Sequence, residues 1–358
     1  MELLQPRARI NGLDGIRALA VLAVFCHHTG LVPVHGGFLG VDVFFVLSGF
    51  LITRLLITEY RDTRAIAYKK FFIRRSLRLF PALIVMLLAL TVYWWVMSPP
   101  NVDIRREVVP ALLYFMNWVR AFQVYDAPLT AHTWSLSIEE QFYLVWPFLL
   151  LFVLRSRAKP VVVVSAVIAA VVLWRWYLFT HGVQMSRIYA GFDTHMDGLM
   201  VGALLALISP QALRRFGSAW KLGAIYLLIC LFNEEASRHA SMHGAYLINA
   251  LAAGAIIAKV ASDQGSALVG VLSEPVLAWF GTVSYGFYLW HYPVIKVLLY
   301  SGYDQFGAFF GNLSYPRLSM FAACFIGSLV PTVLSWWLVE KPILSWRKRR
   351  PLVFQPVS

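Results

Sequence analysis

Charged residues and cysteines are both scarce in this chain of 358 residues. Only 14% of the residues are Asp, Glu, Lys or Arg, whereas 59% are hydrophobic. Soluble domains contain about a quarter charged and roughly 45–50% apolar residues, so this composition excludes an ordinary soluble protein and predicts a polytopic membrane protein. The three cysteines, Cys26, Cys230 and Cys324, all lie in apolar stretches. A disulfide framework or a zinc site is therefore not expected.

Ten apolar runs of about 20 residues, the length that crosses a bilayer, predict ten membrane-spanning helices and an all-α fold class. The runs cover residues 13–33, 37–57, 79–98, 136–154, 160–179, 190–209, 217–232, 243–261, 277–299 and 318–340. A shorter run at 110–124 is predicted to be re-entrant or interfacial. No loop is long enough for a soluble domain, so residues 1–358 are expected to form a single membrane-embedded domain.

The net charge of +13 is distributed between the apolar runs rather than gathered into a patch. Nucleic acid is therefore not an expected partner, whereas membrane lipids are. With ten spans and a cytoplasmic N-terminus, 21 of the 31 Lys and Arg residues fall in cytoplasmic segments and 6 in outer loops. The positive-inside rule then predicts that both termini lie in the cytoplasm.

Ionisable residues within a span are costly and mark candidate functional sites. Arg17 and His28 share one face of the first span, roughly 16 Å apart along its axis. His28 and Asp42 lie at equal distances from the turn between the first two spans. Their equal depth would let the carboxylate orient the imidazole as a general base. A snorkelling arginine and a buried structural pair are the alternatives.

Three further spans bring titratable groups toward the outer half of the membrane. These groups are Glu139 in the fourth span, Asp193, His195 and Asp197 in the sixth, and His291 in the ninth. Glu139 shares a helix face with Tyr143 and is predicted to reach a depth similar to that of His28. Each group alone is explained as an interfacial anchor, but together they predict a polar cavity.

Basic residues are dense in the segment KKFFIRRSLRLFP, just before the third span. Arg75 and Arg78 are three residues apart, and Arg74 lies beside them. Clustered arginines suit the phosphates of an anionic ligand. The alternative is that they set the topology and contact anionic lipids.

Together these motifs resemble the acyltransferase 3 family of bacterial membrane O-acyltransferases. The matching elements are the pair Arg17 and His28 with ten residues between them, GVDVFFVLSGFLI, the pair Arg75 and Arg78, TWSLSIEEQFYL, and SYGFYLWHYP. Singly they are weak, but they follow the family's order over nearly the whole chain, which makes the resemblance specific.

The resemblance implies an enzyme of the bacterial cytoplasmic (inner) membrane that needs no metal. It would move an acyl group, usually acetyl, from cytoplasmic acyl-coenzyme A to a hydroxyl of an extracytoplasmic glycan such as O-antigen or exopolysaccharide. The candidate site residues are His28, Asp42 and Glu139 for catalysis, Arg17, Arg75 and Arg78 for the donor, and Trp134, Tyr143, Tyr285 and His291 for the substrate. Many relatives carry a fused hydrolase-like domain, which this chain is expected to lack.

The expected mechanism has the donor docked from the cytoplasm near Arg75 and Arg78. His28, oriented by Asp42 or Glu139, would remove the proton from the acceptor hydroxyl. A covalent acyl-histidine is the alternative route, since imidazole is a competent nucleophile. A small-molecule acceptor such as a macrolide, a proton-coupled transporter and a regulatory protein are the other functions compatible with these residues. Recognition of the acceptor would fall to loops 99–131, 180–189, 233–243 and 300–317.

Overall fold

The computed structural model of the protein describes residues 10–99, 102–240, 245–301 and 313–349, and the chain is helical through most of these ranges. The helices are α1 (Leu13–Thr29), α2 (Leu39–Thr63), α3 (Tyr68–Met97), α4 (Ile104–Leu112), α5 (Met116–Ala121), α6 (Trp134–Arg155), α7 (Pro160–Thr180), α8 (Met185–Ala190), α9 (Phe192–His195), α10 (Asp197–Leu207), α11 (Pro210–Gly217), α12 (Trp220–Phe232), α13 (Glu234–Ala240), α14 (Ala245–Ser262), α15 (Ala267–Leu272), α16 (Pro275–Lys296), α17 (Pro316–Ser335) and α18 (Lys341–Arg349). No strand occurs in these ranges, which confirms the predicted all-α fold class.

Each of the ten predicted spans overlaps one or more of these helices. Six helical segments of the described chain are long and apolar enough to cross a membrane, and the pair α11 and α12, bent by 47°, would make a seventh. The first predicted span is a helix of only 17 residues, and the sixth is divided among α8, α9 and α10. The exact number of spans and the side of the termini stay predictions. The terminal residues 1–9 and 350–358, and parts of loops 99–131, 233–243 and 300–317, lie outside the described residues.

Local chemistry sets several helix ends. Gly30 ends α1 in the left-handed conformation, with φ of +61°, which glycine adopts without steric cost. Pro160 and Pro275 occupy the first positions of α7 and α16, where the missing amide hydrogen has no helical partner to lose. Asp103 caps α4 by accepting a hydrogen bond from the amide of Arg105 at 3.0 Å. The segment 110–124, predicted to be re-entrant or interfacial, contains the end of α4 and all of α5.

Helices α1 and α16 run side by side in the same direction. A Cβ added at Gly281 of α16 would overlap the carbonyl oxygen of Asp14 near the start of α1. Further along both helices, the rings of His28 and His291 are in contact. Because small residues let helix backbones approach closely in a membrane, Gly281 permits the close contact between α16 and the start of α1.

Helices α2 and α10 form a second close parallel pair. A Cβ at Gly49 would overlap the carbonyl oxygen of Leu199, and one at Gly202 would overlap that of Val46. This pair carries Asp42 on α2, facing His195 just before α10. The two helix pairs therefore carry two separate polar groups.

We expect Gly281→Leu to lower the thermal unfolding midpoint of the detergent-solubilised protein, because its side chain must displace the backbone of α1. Forced overpacking costs about 1–3 kcal/mol. The matched control is Gly270→Ala in α15, where nothing lies within 4 Å of an added Cβ. Such a change is worth about 0.4–1 kcal/mol of stabilisation where the backbone permits it. Equal midpoints for both variants would contradict this account of the α1–α16 contact.

Candidate active site

A basic cavity of about 460 Å³ lies among the start of α1, the second half of α2 and the start of α3. Its charged lining residues are Arg17, Arg54, Lys70, Arg74, Arg75, Arg78, Asp14 and Glu59. Six cations thus face two acids. Arg17 donates to Asp14 at 3.1 Å, which offsets one of the cations. The remaining excess of positive charge suits an anionic ligand with several phosphates.

A narrower cavity of about 70 Å³ shares Arg17, Ser48, Arg75 and Arg78 with the basic cavity. Its other lining residues include Phe44, Phe45, Ser135, Glu139, Ser284, Tyr285 and Tyr288. The shared residues make the two cavities neighbours along one route into the protein. A bulky, charged ligand end fits the wide part, and only a slender chain fits the narrow part.

Glu139 supports the boundary between the two cavities. Its carboxylate accepts hydrogen bonds from Ser48 and Tyr143, both at 3.0 Å. The guanidinium of Arg75 lies 3.9 Å from the centre of the Tyr143 ring. Tyr143 is fully buried and lines neither of the two cavities described above, so it positions Arg75 from behind. The Nε of Arg75 is buried without a hydrogen-bond partner among the described residues.

Three histidines cluster beyond the narrow cavity. His28 Nδ1 and His291 Nε2 are 2.8 Å apart, and the ring of His132 lies 5.6 Å from that of His291. Tyr288 connects this cluster to the narrow cavity: it lines that cavity, and its ring lies 5.3 Å from the His291 ring. His291 is fully buried, whereas His28 is only partly buried. Of these two residues, only His28 keeps some exposed surface.

The prediction that Asp42 or Glu139 orients His28 is wrong. The Asp42 carboxylate accepts from Asn249 at 2.9 Å and lies 3.0 Å from His195 Nε2. Position along a helical hairpin fixes the depth of Asp42 but not the direction in which its side chain points, and Asp42 faces α9 and α14. The other nitrogen of His195 contacts the carbonyl of Tyr189 at 2.7 Å. Both nitrogens of His195 are thus engaged.

Glu139 also lies at a different depth from the predicted one. Its partner Ser48 is six residues beyond Asp42 on α2, which corresponds to about 9 Å along the helix axis. The carboxylate therefore belongs with Arg75 in the lining of the narrow cavity rather than with His28. Trp134, predicted to contact substrate, is instead buried against the rings of Tyr189 and His195.

The acidic residues of the sixth predicted span form ion pairs. Asp197 accepts from Arg175 at 2.9 Å, and both side chains are completely buried. Asp193 accepts from Arg187 at 2.6 Å and from the indole of Trp174 at 2.7 Å. These contacts tie α7 to the segment that leads into α10. They give Asp193 and Asp197 a structural role.

We expect Asp197→Ala to destabilise the protein by about 3–5 kcal/mol, because the buried guanidinium of Arg175 loses the carboxylate that balances its charge. Catalytic turnover of the folded fraction should stay near that of the unmodified protein, since this pair lies away from both cavities. Thermal unfolding and turnover per active molecule, measured on the same sample, separate the two effects. A stable variant with reduced turnover would contradict the structural assignment.

Two contributions to the site were not predicted from the sequence. His132 lies two residues before Trp134 in the motif AHTWSLS; its Nε2 donates to the carbonyl of Leu289 at 3.1 Å. The segment before it is held by Glu107, which is buried and accepts from the amides of Leu129 and Thr130. Burial raises the pKa of Glu107, an effect that its hydrogen bonds oppose. Their signal in the sequence is weak because each contact depends on packing between distant segments.

A sequence model of a family described as an acyltransferase domain matches residues 10–340. The chain is 35% identical over 312 residues to the peptidoglycan O-acetyltransferase OatA of Listeria monocytogenes, covering 81% of this chain and 50% of that protein. It is 34% identical to the putative peptidoglycan O-acetyltransferase YrhL of Bacillus subtilis, covering 95% of this chain and 55% of that protein. The chain thus spans about half the length of these curated relatives. No solved structure matches.

Proposed function

This chain belongs to the acyltransferase 3 family, and on that premise we propose that it transfers an acetyl group from coenzyme A to a hydroxyl of a cell-surface glycan. The observation that carries the proposal is the route formed by the two neighbouring cavities, which begins among clustered cations and ends at Tyr288, beside the histidine cluster. The family membership favours the enzyme over the transporter.

The basic cavity would hold the phosphates of the donor. Arg75 and Arg78 line both cavities, so they would contact the donor where its charged end narrows to its thioester arm. Arginine suits this task because its planar guanidinium binds phosphate through two hydrogen bonds. Glu139 and Tyr143 would act through Arg75, by holding its guanidinium in place.

His28 would act as the general base in direct transfer. As it takes the proton of the acceptor hydroxyl, the oxygen attacks the thioester carbonyl and forms the new ester bond. The carbon–sulfur bond breaks, and the coenzyme A thiolate receives the proton from His28. Proton transfer by a positioned side chain of this kind contributes about 10²–10⁴-fold to a rate.

The acceptor would be a glycan on the outer side of the cytoplasmic membrane. Two of the relatives carry peptidoglycan O-acetyltransferase in their names, which favours a cell-wall glycan over the O-antigen, exopolysaccharide or macrolide acceptors considered from the sequence. The His28 end of α1 lies on the predicted outer side, where such an acceptor is found.

The test is to reconstitute the protein in liposomes with labelled acetyl-coenzyme A and a peptidoglycan-type glycan. The proposal predicts release of coenzyme A that depends on the acceptor, and a base-labile labelled ester on the glycan. Transport of either molecule without ester formation, or no release with any glycan offered, would overturn it.

Direct transfer and a covalent acyl-histidine differ in what the donor alone does. In the direct route, protein mixed with labelled acetyl-coenzyme A and no acceptor stays unlabelled after rapid quenching. Label that is retained on the protein, and lost in the His28→Ala variant, would replace direct transfer by the covalent route.

A further inference from the structure

We propose that His291 is a positioning residue that fixes the tautomer of His28, with the proton on Nδ1 and a free lone pair on Nε2. The effect of this tautomer on catalysis rests on the proposed function. The hydrogen bonds that support it stand independently of that function.

The backbone carbonyls of α16 determine which nitrogen of His291 donates a hydrogen bond. Nδ1 of His291 lies 2.6 Å from the carbonyl oxygen of Tyr288 and 3.3 Å from that of Phe287. A carbonyl oxygen can only accept a hydrogen bond, so Nδ1 of His291 must carry the proton. In the neutral ring, Nε2 of His291 is then an acceptor.

That acceptor faces His28. Nε2 of His291 lies 2.8 Å from Nδ1 of His28, and the two rings are inclined by only 14° with their centres 5.1 Å apart. Because Nε2 of His291 accepts, Nδ1 of His28 must donate. The proton of a neutral His28 is therefore held on the nitrogen nearer the backbone, and Nε2 keeps its lone pair.

The burial of the two rings assigns them different roles. His291 is completely buried, packed near Phe287 and Tyr288. His28 is only partly buried. His28 thus meets the substrate with its basic nitrogen, and His291 acts on it from behind.

In the reaction, this tautomer leaves Nε2 of His28 free to accept the proton of the acceptor hydroxyl. The acceptor hydroxyl passes its proton to Nε2 of His28 as the carbon–oxygen bond forms and the carbon–sulfur bond breaks. His28 then carries a proton on each nitrogen, and the bond from Nδ1 to His291 strengthens because its donor is charged. His28 returns the Nε2 proton to the leaving thiolate. A carboxylate plays this orienting part in serine proteases, where a wrong tautomer costs about 10⁴-fold in kcat.

The experiment compares His291→Phe with His291→Gln. Phenylalanine keeps a planar ring but removes the acceptor, so kcat should fall by about 10²–10⁴-fold while KM for the acyl donor changes little. Glutamine offers a carbonyl oxygen to Nδ1 of His28. The kcat of His291→Gln should therefore be at least about tenfold higher than that of His291→Phe. His27→Phe is the matched control, since the ring of His27 packs edge-on against Phe38; it should keep kcat near that of the unmodified protein.

A readout that needs no activity separates this inference from the proposed function. The ¹⁵N spectrum of histidine-labelled protein in lipid nanodiscs, assigned with the His28→Gln variant, should show a protonated Nδ1 and an unprotonated Nε2 for His28. In His291→Phe the proton should redistribute to Nε2. A proton on Nε2 of His28 in the unmodified protein would overturn the inference, as would equal kcat values for folded His291→Phe and the unmodified protein. Absence of any transferase activity with an unchanged tautomer would overturn only the proposed function.

Discussion

His28→Ala should lower the turnover of acetyl transfer by about 10²–10⁴-fold, the contribution of a general base, while leaving donor affinity nearly unchanged. The separation is expected because His28 lines neither the basic nor the narrow cavity. Turnover is measured by acceptor-dependent release of coenzyme A, and affinity by equilibrium binding of coenzyme A to the purified protein.

The neighbouring histidine provides the control. His27 is one residue earlier on α1, about 100° around the helix, and its ring packs against Phe38. We expect His27→Ala to retain turnover, apart from a modest loss of stability of about 1 kcal/mol. Equal losses of turnover in the two variants would mean that α1 is being disrupted and that His28 has no chemical role of its own.

Arg78→Ala should weaken binding of coenzyme A by about 10- to 100-fold, because a hydrogen bond to a charged group is worth about 1.5–3 kcal/mol. The loss should appear in KM for the donor, with a smaller change in kcat, since Arg78 lies at the junction of the cavities rather than among the histidines. Donor binding should also weaken with added salt, because Coulomb attraction in an open cavity is screened.

Arg157→Ala tests whether this effect is local. Arg157 is exposed in the short loop between α6 and α7, on the predicted cytoplasmic side, and lines neither cavity. Its removal changes the net charge by the same amount as removal of Arg78. If both variants lose donor affinity equally, the net positive charge of the protein explains binding. The assignment of a donor site to Arg78 at the junction of the cavities would then be wrong.

The helices were predictable because the length and hydropathy of each apolar run reflect the local environment of that segment alone. The ends of the helices and the interruptions within predicted spans were harder to predict. The predicted sixth span, 190–209, is interrupted near His195, where the buried contacts with Asp42 and Arg175 compete with a continuous helix. Asp42 and His195 are 153 positions apart in the sequence, and Arg175 lies on a different helix, α7. Contacts of this kind leave no periodic pattern in the sequence.

The candidate site was predictable in its residue types and, for several residues, in its location. Arg17, Arg75 and Arg78 line one cavity, and His28 and His291 meet although 263 positions separate them. Sequence spacing gives depth in the membrane, and both histidines were expected in outer halves of spans. It does not give the direction of a side chain or the identity of its neighbouring helix. Asp42, at a suitable depth, was therefore paired with the wrong histidine.

The most direct test of the whole account is acetyl transfer in sealed membrane vesicles of opposite orientation, with acetyl-coenzyme A added only to the outside and glycan acceptor enclosed. Coenzyme A does not cross a sealed bilayer, so the donor reaches only the face of the protein that is turned outward. We expect ester formation on the enclosed glycan in inverted vesicles, whose cytoplasmic face is outward, and its loss with His28→Ala. Equal ester formation in sealed right-side-out vesicles would contradict a donor route that begins at the cytoplasmic basic cavity.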